Sequence, residues 1–223
     1  MTSMTAPPSR DKTKELMDNI YRYTRHVYDA SRKYFLLGRD RLISDLGARP
    51  QDTVIEIGCG TARNLIKMAE QYPGARFYGL DASEEMLKTA HKNLEKACQE
   101  YHIILKQDYA QSFDPKNLFE GHTPDKVVFS YSLSMIPPWK DSITHALTLL
   151  PKDGEIHIVD FGQQEQQPKF FKKFLFWFLS LFHVHPEPEL ETFLQGLDKQ
   201  EKGSLTLQKL YKGYTILAVF RKS

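Results

Sequence analysis

Residues 53–64 read Thr-Val-Ile-Glu-Ile-Gly-Cys-Gly-Thr-Ala-Arg-Asn. A β-branched run that contains Glu56 is followed by glycines at 58 and 60, and a helix-compatible segment begins directly after them. This pattern predicts a strand, a tight turn and the start of a helix. Because glycine has no Cβ and adopts backbone conformations closed to other residues, a ligand can lie against the main chain of the turn. The stretch therefore predicts a ligand-binding loop.

A second acid marks the end of the next apolar run. Asp81 follows Ala75 to Leu80 and lies 21 positions after Gly60. In nucleotide-binding sheets an acid at about this spacing accepts hydrogen bonds from ribose hydroxyls. A similar glycine turn occurs in dinucleotide-binding enzymes, which leaves a nicotinamide-dependent dehydrogenase as an alternative. Glu56 adds a carboxylate near the strand end, where it can orient the loop or meet a cationic group of the ligand.

Two short motifs carry a family resemblance. Glu-x-Gly-x-Gly, at Glu56, Gly58 and Gly60, and Gly-Leu-Asp, which ends at Asp81, resemble the cofactor motifs of class I S-adenosylmethionine-dependent methyltransferases. Ala62 stands where many members have a third glycine. The resemblance implies an α/β fold with a Rossmann-like seven-stranded sheet and an antiparallel C-terminal strand. It also implies S-adenosylmethionine as cofactor, with S-adenosylhomocysteine as product.

Apolar runs alternate with helical patterns after the glycine turn, which predicts a parallel sheet covered on both faces. We expect strands at 53–57, 76–80, 102–106, 125–130 and 155–161, and helices at 62–71, 83–100 and 141–150. Two later runs, 204–211 and 214–221, flank Lys212 and Gly213 and predict a C-terminal hairpin. A nicotinamide domain would continue with parallel units, so the hairpin favours a methyltransferase.

Composition narrows the class of protein. The chain has 223 residues, which suits one α/β domain, and 30 Lys and Arg against 28 Asp and Glu give a net charge of +2. That balance does not indicate a nucleic-acid partner. Cys59 and Cys98 predict free thiols in a reducing compartment. The sequence lacks the pattern of a secretory signal, so we expect a cytoplasmic protein.

The expected organisation is a flexible terminus at 1–10 and a single methyltransferase domain at 11–223. Within that domain we distinguish a helical arm at 11–47, a cofactor-binding core at 52–161, an apolar insertion at 165–190 and the hairpin at 204–222. In the arm, helical periodicity continues to about Asp45 with Gly38 as a candidate stop. Four tyrosines and four arginines lie between Tyr21 and Arg39. The arm either simply packs on the domain or builds a site for an amine and an acidic head group.

A more specific resemblance comes from the arm itself. From Tyr21 to Asp40 it reads Tyr-Arg-x-x-Arg-His-x-Tyr-Asp-x-x-Arg-Lys-Tyr-Phe-Leu-Leu-Gly-Arg-Asp. This resembles the N-terminal signature of bacterial diacylglycerylhomoserine N-methyltransferases, which complete the betaine lipid diacylglyceryl-trimethylhomoserine. The resemblance covers roughly residues 18–160 and implies three successive N-methylations of a lipid amine. Three alternatives stay open. The acceptor could instead be phosphatidylethanolamine, or it could be a soluble small-molecule amine. The protein could also be a catalytically silent cofactor-binding module.

By that resemblance, the cofactor-binding residues are Tyr34, Arg39, Glu56, Gly58, Cys59, Gly60, Asp81, Ala82, Met86, Asp108, Tyr109, Ser130 and Tyr131. The glycines would hold the methionine part and Asp81 the ribose. Ala82 and Met86 would flank the adenine, and Asp108 would accept from its amino group, with Tyr109 alongside. Tyr131 and Ser132 would face the methyl group, while Arg39 or Tyr34 would close on the cofactor carboxylate.

Methylation of an amine also requires that the acceptor first lose a proton. The candidate catalytic residues are Tyr21, Tyr28 and Tyr131, whose rings can in addition surround the growing ammonium through cation–π contacts. His183 and His185 lack the cysteine or acid partners of a zinc site, and we expect no metal.

The most apolar segment runs from Phe170 to Val184. It falls short of the roughly 20 residues that a membrane-spanning helix needs. Three interpretations stay open: a helix buried on the sheet, a lid over an apolar substrate, or a helix in the lipid interface with Trp177 at the head-group level. Lysines at 169, 172 and 173 suit the last of these. We expect a lipid or small-amine substrate and a peripheral contact at the inner membrane surface, and leave the oligomeric state open.

Overall fold

The computed structural model describes residues 35–100, 102–181 and 184–223. Within them a seven-stranded sheet has the order β3-β2-β1-β4-β5-β7-β6. The first five strands are parallel, and β7 lies antiparallel between β5 and β6. The strands are β1 Thr53–Ile57, β2 Arg76–Asp81, β3 Ile103–Gln107, β4 Lys126–Ser130, β5 Glu155–Phe161, β6 Gly203–Leu210 and β7 Thr215–Lys222. This confirms the predicted Rossmann-like sheet with its antiparallel C-terminal end.

Helices cover both faces of the sheet. The described helices are α1 Arg39–Asp45, α2 Arg63–Gln71, α3 Glu84–Lys96, α4 Pro115–Leu118, α5 Trp139–Leu149, α6 Lys169–Ser180 and α7 Leu190–Lys199, with a 3-10 turn at Leu133–Met135. Side chains of α1, α2, α3 and α6 share one buried apolar cluster with one face of the strands. Those of α5 and α7 belong to a second cluster on the other face. The two clusters are the two layers of core that the alternating pattern predicts.

Most element boundaries agree with the sequence to within one or two residues. Strands β1 and β5 agree at both ends, and Ser83 caps α3 because its Oγ accepts the Met86 N–H at 3.3 Å. That helix ends at Lys96, four residues before the predicted end. Helices α4 and α7 and the 3-10 turn were not predicted. A signal for α7 was present, since Leu190, Leu194 and Leu197 have helical spacing and are buried.

The apolar insertion, residues 165–190, contains helix α6, and helix α7 begins at its last residue. Helix α6 ends at Ser180, and the chain turns before α7 begins. Its inner residues Leu175 and Leu179 are buried, so α6 is a cover helix with one packed stripe. No helix within the described ranges has the length and apolarity to cross a bilayer.

Only the end of the predicted arm, residues 35–47, falls within the described residues. There Gly38, the candidate stop, takes a left-handed φ of +83° directly before α1. A Cβ at Gly38 would lie 3.2 Å from Thr215 Cγ2 and 3.3 Å from Val159 Cγ2, so glycine permits this segment to lie close against β5 and β7. The predicted catalytic residues Tyr21 and Tyr28 lie outside the described residues.

The strand order fixes where a ligand can bind. From β1 the chain moves outward to β2 and β3, then returns to place β4 on the other side of β1. Open α/β sheets bind their ligands in the crevice where the strand order reverses, which in this order lies beyond the carboxyl ends of β1 and β4. The glycine turn follows β1 and the segment Tyr131–Met135 follows β4, so both border the crevice.

Candidate functional site

The glycine turn closes tightly against its neighbours. Gly58 and Gly60 have φ values of +72° and +54°, a region that L side chains rarely adopt. The N–H groups of Gly58 and Cys59 donate to the Leu80 carbonyl oxygen at 2.7 and 3.0 Å. A Cβ on Gly58 would lie only 2.5 Å from Ser132 Cβ. Glycine is therefore required where the turn after β1 meets the segment after β4.

Asp81 joins the two loops beside the crevice. Its Oδ2 accepts the Gly60 N–H at 2.7 Å, and its Oδ1 accepts the Ser83 N–H at 2.9 Å. The side chain is buried at the carboxyl end of β2. Since an ionised carboxylate offers about four acceptor positions, the same group can hold both loops and accept from a ribose. This geometry agrees with the predicted nucleoside contact.

Glu56 orients the loop from below. It is buried, and its Oε1 accepts from Asn64 Nδ2 at 2.7 Å, which ties β1 to the first turn of α2. Of the two predicted roles, the structure shows this orienting one. Burial raises the pKa of the Cys59 thiol well above its usual value, and the charges of Asp81 and Glu56 raise it further. Cys59 is therefore a neutral thiol in the wall of the turn.

Ala62 shows why many members of the resembled class have glycine at this position. It caps α2 with a φ of +62°, in the left-handed region. An L residue pays about 1–2 kcal/mol for this conformation, and glycine does not. The methyl group of Ala62 is fully buried, so its packing offsets part of that cost.

The four residues predicted to surround the adenine gather at the ends of β2 and β3. The Ala82 carbonyl oxygen accepts from Gln107 Nε2 at 3.0 Å, and Asp108 Oδ1 accepts the N–H of Tyr109 at 2.8 Å. Met86 is buried in the first turn of α3. The structure thus brings Ala82, Met86, Asp108 and Tyr109 to the same end of the sheet as Asp81. Their individual contacts with the adenine stay predictions.

Two buried hydroxyls border the crevice from the side of β4. Within the described part of the chain, Ser130 Oγ and Ser132 Oγ have no hydrogen-bond partner. A buried hydroxyl without a partner costs free energy, so a polar ligand atom that pairs with it gains affinity. With the side-chain-free turn and the acid on β2, these hydroxyls give a donor and acceptor set that fits a charged nucleoside. Both serines were candidates from the sequence.

Tyr131 takes a position that the sequence did not predict. Its backbone has a φ of +55°, its hydroxyl donates to the Leu37 carbonyl oxygen at 2.6 Å, and Thr215 Oγ1 lies 2.9 Å away. The hydroxyl of Tyr214 donates likewise to the Phe35 carbonyl oxygen at 2.9 Å. We call these two hydroxyls on two carbonyls the tyrosine clamp. It fastens the end of the arm to the sheet.

The clamp changes the interpretation of Tyr131. Burial, the largest cause, raises the pKa of Tyr131 well above its usual value, and burial also raises that of Tyr214. Neither phenol loses its proton near neutral pH, so neither can take one from an ammonium. The sequence predicts that Tyr131 faces the methyl group of the cofactor. In the structure its hydroxyl points toward the arm instead. We assign it a positioning role.

We expect Tyr131→Phe to lower the free energy of unfolding by about 1 kcal/mol, the usual net worth of one hydrogen bond. Tyr214→Phe is the matched control, because it removes the other hydroxyl of the clamp. If both act by positioning the arm, both raise KM by similar factors and change kcat by less than about threefold. A turnover rate that fell by about two orders of magnitude in Tyr131→Phe alone would instead restore its catalytic role. Urea unfolding and steady-state kinetics give the two readouts.

Asp160 is a site-edge residue that was not predicted from the sequence. It lies near the carboxyl end of β5, where its Oδ2 accepts the Ser134 N–H at 3.3 Å and its Oδ1 the Phe161 N–H at 2.8 Å. It therefore supports the 3-10 turn that follows β4. Burial raises the pKa of Asp160 to about 6. The available signal was an acid in the otherwise apolar end of a strand.

This raised pKa predicts a pH-dependent stability. An unfolded aspartate titrates near about 3.9. Between that value and about 6, Asp160 of the folded protein holds a proton that the unfolded chain releases. This proton binding adds to the free energy of unfolding at low pH, and the contribution is lost as the pH rises through 6. We expect wild type to gain about 2 kcal/mol of stability relative to Asp160→Asn when the pH is lowered from about 7.5 to about 4. Denaturant titrations at several pH values test this, and a flat difference would contradict it.

For the remaining predicted site residues, Arg39 and Tyr34, the structure gives little information on cofactor contacts. Arg39 is buried in the first turn of α1, and its Nε donates to the Leu36 carbonyl oxygen at 3.1 Å. Its contact with a cofactor carboxylate stays a prediction. Tyr34 lies outside the described residues. Within those residues, no group of three or more His, Cys, Asp or Glu side chains is arranged to hold a metal ion.

Comparison with known proteins identifies the class. A family model described as a methyltransferase domain matches residues 48–201. A 2-phytyl-1,4-naphtoquinone methyltransferase from Trichormus variabilis is 25% identical over 159 residues, which are 69% of this chain and 67% of that protein. A demethylmenaquinone methyltransferase from Desulfitobacterium hafniense is 27% identical over 130 residues, 56% of this chain and 48% of that protein. The matched parts thus cover about two thirds of the first of these relatives and just under half of the second.

Solved structures share the fold. A Haemonchus contortus phosphoethanolamine N-methyltransferase, solved in complex with phosphomonomethylethanolamine and S-adenosylhomocysteine, aligns with a TM-score of 0.70 at 13% identity, over 94% of this chain and 60% of that one. A putative methyltransferase of Haloferax volcanii, bound to its activator, aligns with a TM-score of 0.69 at 11% identity over 92% and 98%. Since the family model covers more than half of the chain, the protein belongs to the methyltransferase domain family and is a class I S-adenosylmethionine-dependent methyltransferase.

Proposed function

We propose that this protein methylates the amine of a lipid head group, with diacylglycerylhomoserine as the acceptor and its trimethylated betaine lipid as the product. The choice of an amine rests on the resemblance of the arm sequence. The choice of a lipid is supported by one structural observation. Helix α6 carries an exposed apolar stripe, while its inner side packs in the cluster that also contains Tyr131 and Met86 of the site.

The residues of the site suit such a transfer. When bound, S-adenosylmethionine supplies a methyl group on a sulfonium, and the new N–C bond forms as the S–C bond breaks to leave S-adenosylhomocysteine. The acceptor ammonium must first release its proton to water or to a group outside the phenols of the clamp. Asp81 and the glycine turn hold the donor, and the tyrosine clamp fixes the position of the end of the arm. Correct placement of two reactants contributes several kcal/mol to catalysis, on the order of 7–11 at best.

A second candidate is a lipoquinone acceptor, methylated on carbon. It is favoured by the names of the two relatives that act on a phytyl naphthoquinone and on demethylmenaquinone. Both candidates carry long apolar chains, so the α6 stripe supports either. Phosphatidylethanolamine or a soluble amine are further alternatives for the acceptor.

Co-expression with an enzyme that makes diacylglycerylhomoserine tests the proposal. Mass spectrometry of the lipid extract should show a gain of three methyl groups on this lipid, and none with an Asp81→Ala variant. In a parallel assay, purified protein is incubated with radiolabelled S-adenosylmethionine and with separated lipid, quinone and water-soluble fractions. Label confined to the quinone fraction would favour the second candidate. Label confined to water-soluble amines would reject both.

A further inference from the structure

Helix α6 has two unlike sides. Leu175 and Leu179 are buried in the core, and the Phe178 ring stacks on that of Phe35 at 4.8 Å between centroids. The opposite side exposes large apolar side chains at spacings of four, three and four residues, which place them in one line along the helix. We call this line the outer stripe: Phe170, Phe174, Trp177 and Leu181, with exposed fractions of 77%, 53%, 58% and 52%.

Basic side chains edge the outer stripe. Lys169 and Lys173 are both exposed and lie one turn apart on the flank of the stripe. Helix α6 contains three lysines and no acid. The third, Lys172, turns inward, where its Nζ donates to the Gln163 carbonyl oxygen at 2.6 Å. The surface is thus an apolar aromatic line with positive charge at its edge.

From this surface we propose that α6 lies flat in the interface of an anionic lipid bilayer, with the outer stripe among the acyl chains and Lys169 and Lys173 at the lipid phosphates. A helix with one aromatic face and flanking lysines binds membranes in this way. Trp177 sits at the level where an indole finds both apolar and polar surroundings. The proposal rests on the proposed function, since a lipid acceptor has to be collected from a bilayer.

Charge favours a bilayer over two other occupants. The first 34 residues carry seven Lys and Arg against four Asp and Glu, so that segment would bring net positive charge to the lysines of α6. A second copy of the chain would set the same lysines against each other across a symmetric contact. Anionic phosphates instead complement them, at about 1 kcal/mol for each lysine near the surface.

The position of α6 links docking to the site. Phe171 lies 6.4 Å from Tyr214 between ring centroids, and Phe178 stacks on Phe35. Tyr214 and the Phe35 carbonyl form half of the tyrosine clamp. The helix that would touch the bilayer is therefore the same one that packs on the end of the arm, so a lipid head group would meet this part of the arm beside the crevice.

Vesicle binding tests the docking face without cofactor or acceptor. The probes are vesicles of phosphatidylcholine with or without phosphatidylglycerol, and the readouts are co-sedimentation and tryptophan emission. The chain has two tryptophans, of which Trp139 is 5% exposed and Trp177 is 58% exposed. We expect a blue shift on anionic vesicles that is lost in Trp177→Phe, although that variant still sediments with them.

Variants separate the apolar and the charged contributions. Phe174→Ser with Trp177→Ser should reduce the vesicle partition about 100-fold, since burial of each side chain is worth about tenfold. Lys169→Gln with Lys173→Gln should reduce it about fivefold per lysine and remove the preference for phosphatidylglycerol. Lys92→Gln with Lys96→Gln, two exposed lysines on α3, is the matched control and should change neither.

Several outcomes would overturn this proposal. They are absence of binding, equal binding to neutral and anionic vesicles, or a Trp177 that acrylamide cannot quench before vesicles are added. The last would mean that the arm or a second copy covers the stripe, and sedimentation velocity distinguishes these. Vesicle binding without methylation of any lipid amine would instead leave the docking face intact and reject the proposed acceptor. Methylation of a lipid amine without vesicle binding would reject the docking face and leave the proposed acceptor intact.

Discussion

Asp81→Ala should weaken the binding of S-adenosylhomocysteine by about 100-fold or more. The carboxylate receives the N–H groups of Gly60 and Ser83, and hydrogen bonds to a charged group contribute about 1.5–3 kcal/mol each. Its loss releases the glycine turn from α3 and removes the predicted acceptor for the ribose hydroxyls. Calorimetric titration at fixed salt measures the change.

Two companions sharpen this experiment. Asp81→Asn keeps the shape, but its amide turns an N–H₂ toward one of two backbone N–H groups, so little of the affinity should return. Asp114→Ala removes a capping carboxylate that accepts the Lys116 N–H at 3.0 Å at the start of α4, and Asp114 is not among the predicted cofactor-binding residues. It should cost about 1 kcal/mol of stability and leave affinity unchanged. If Asp81→Ala bound the ligand within threefold of wild type, the nucleoside site would have to lie elsewhere.

Gly58→Ala should have the second large effect, on stability and on ligand binding together. The added Cβ meets Ser132 Cβ at 2.5 Å, and the residue must hold a φ of +72°. Overpacking costs about 1–3 kcal/mol and the left-handed backbone about 1–2 kcal/mol, so we expect a loss of roughly 3 kcal/mol. Urea unfolding gives the free energy, and calorimetry gives the affinity.

A second substitution separates the two causes. Ser132→Gly removes the atom that the new Cβ strikes but leaves the backbone conformation unchanged. In the double variant the steric part of the loss should return, and about 1–2 kcal/mol should remain. Equal losses in Gly58→Ala and in the double variant would show that backbone strain alone requires glycine at this position.

Local chemistry made the centre of the site predictable. Gly58, Gly60 and Asp81 are recognisable because a turn without side chains and an acid at the tip of the next strand each follow from a short stretch of sequence. Strand β1 was predicted residue by residue for the same reason. The parallel sheet and the final hairpin followed from the alternation of strands and helices and from the last two apolar runs, whereas the seven-stranded sheet was implied by the family resemblance.

Long-range contacts were the part that sequence could not supply. The hydroxyl of Tyr131 meets Leu37, 94 positions away, and Asp160 supports a turn 26 positions before it. Neither pairing leaves a local pattern, so Tyr131 was assigned to the methyl group and Asp160 was overlooked. Alanine itself does not mark a left-handed position, so the only signal for the backbone of Ala62 was the glycine that many members of the resembled class have there.

The tyrosine clamp donates its hydrogen bonds to backbone carbonyl oxygens, which every amino acid carries. Because Tyr131 and Tyr214 hold the carbonyl oxygens of Leu37 and Phe35, these two hydrogen bonds do not depend on the side chains that the sequence before Phe35 carries. The sequence before Phe35 can therefore change while these two hydrogen bonds and the methyltransferase sheet stay the same. In such an architecture, substrate choice can evolve or be engineered through a new arm sequence that the unchanged tyrosine clamp still fastens.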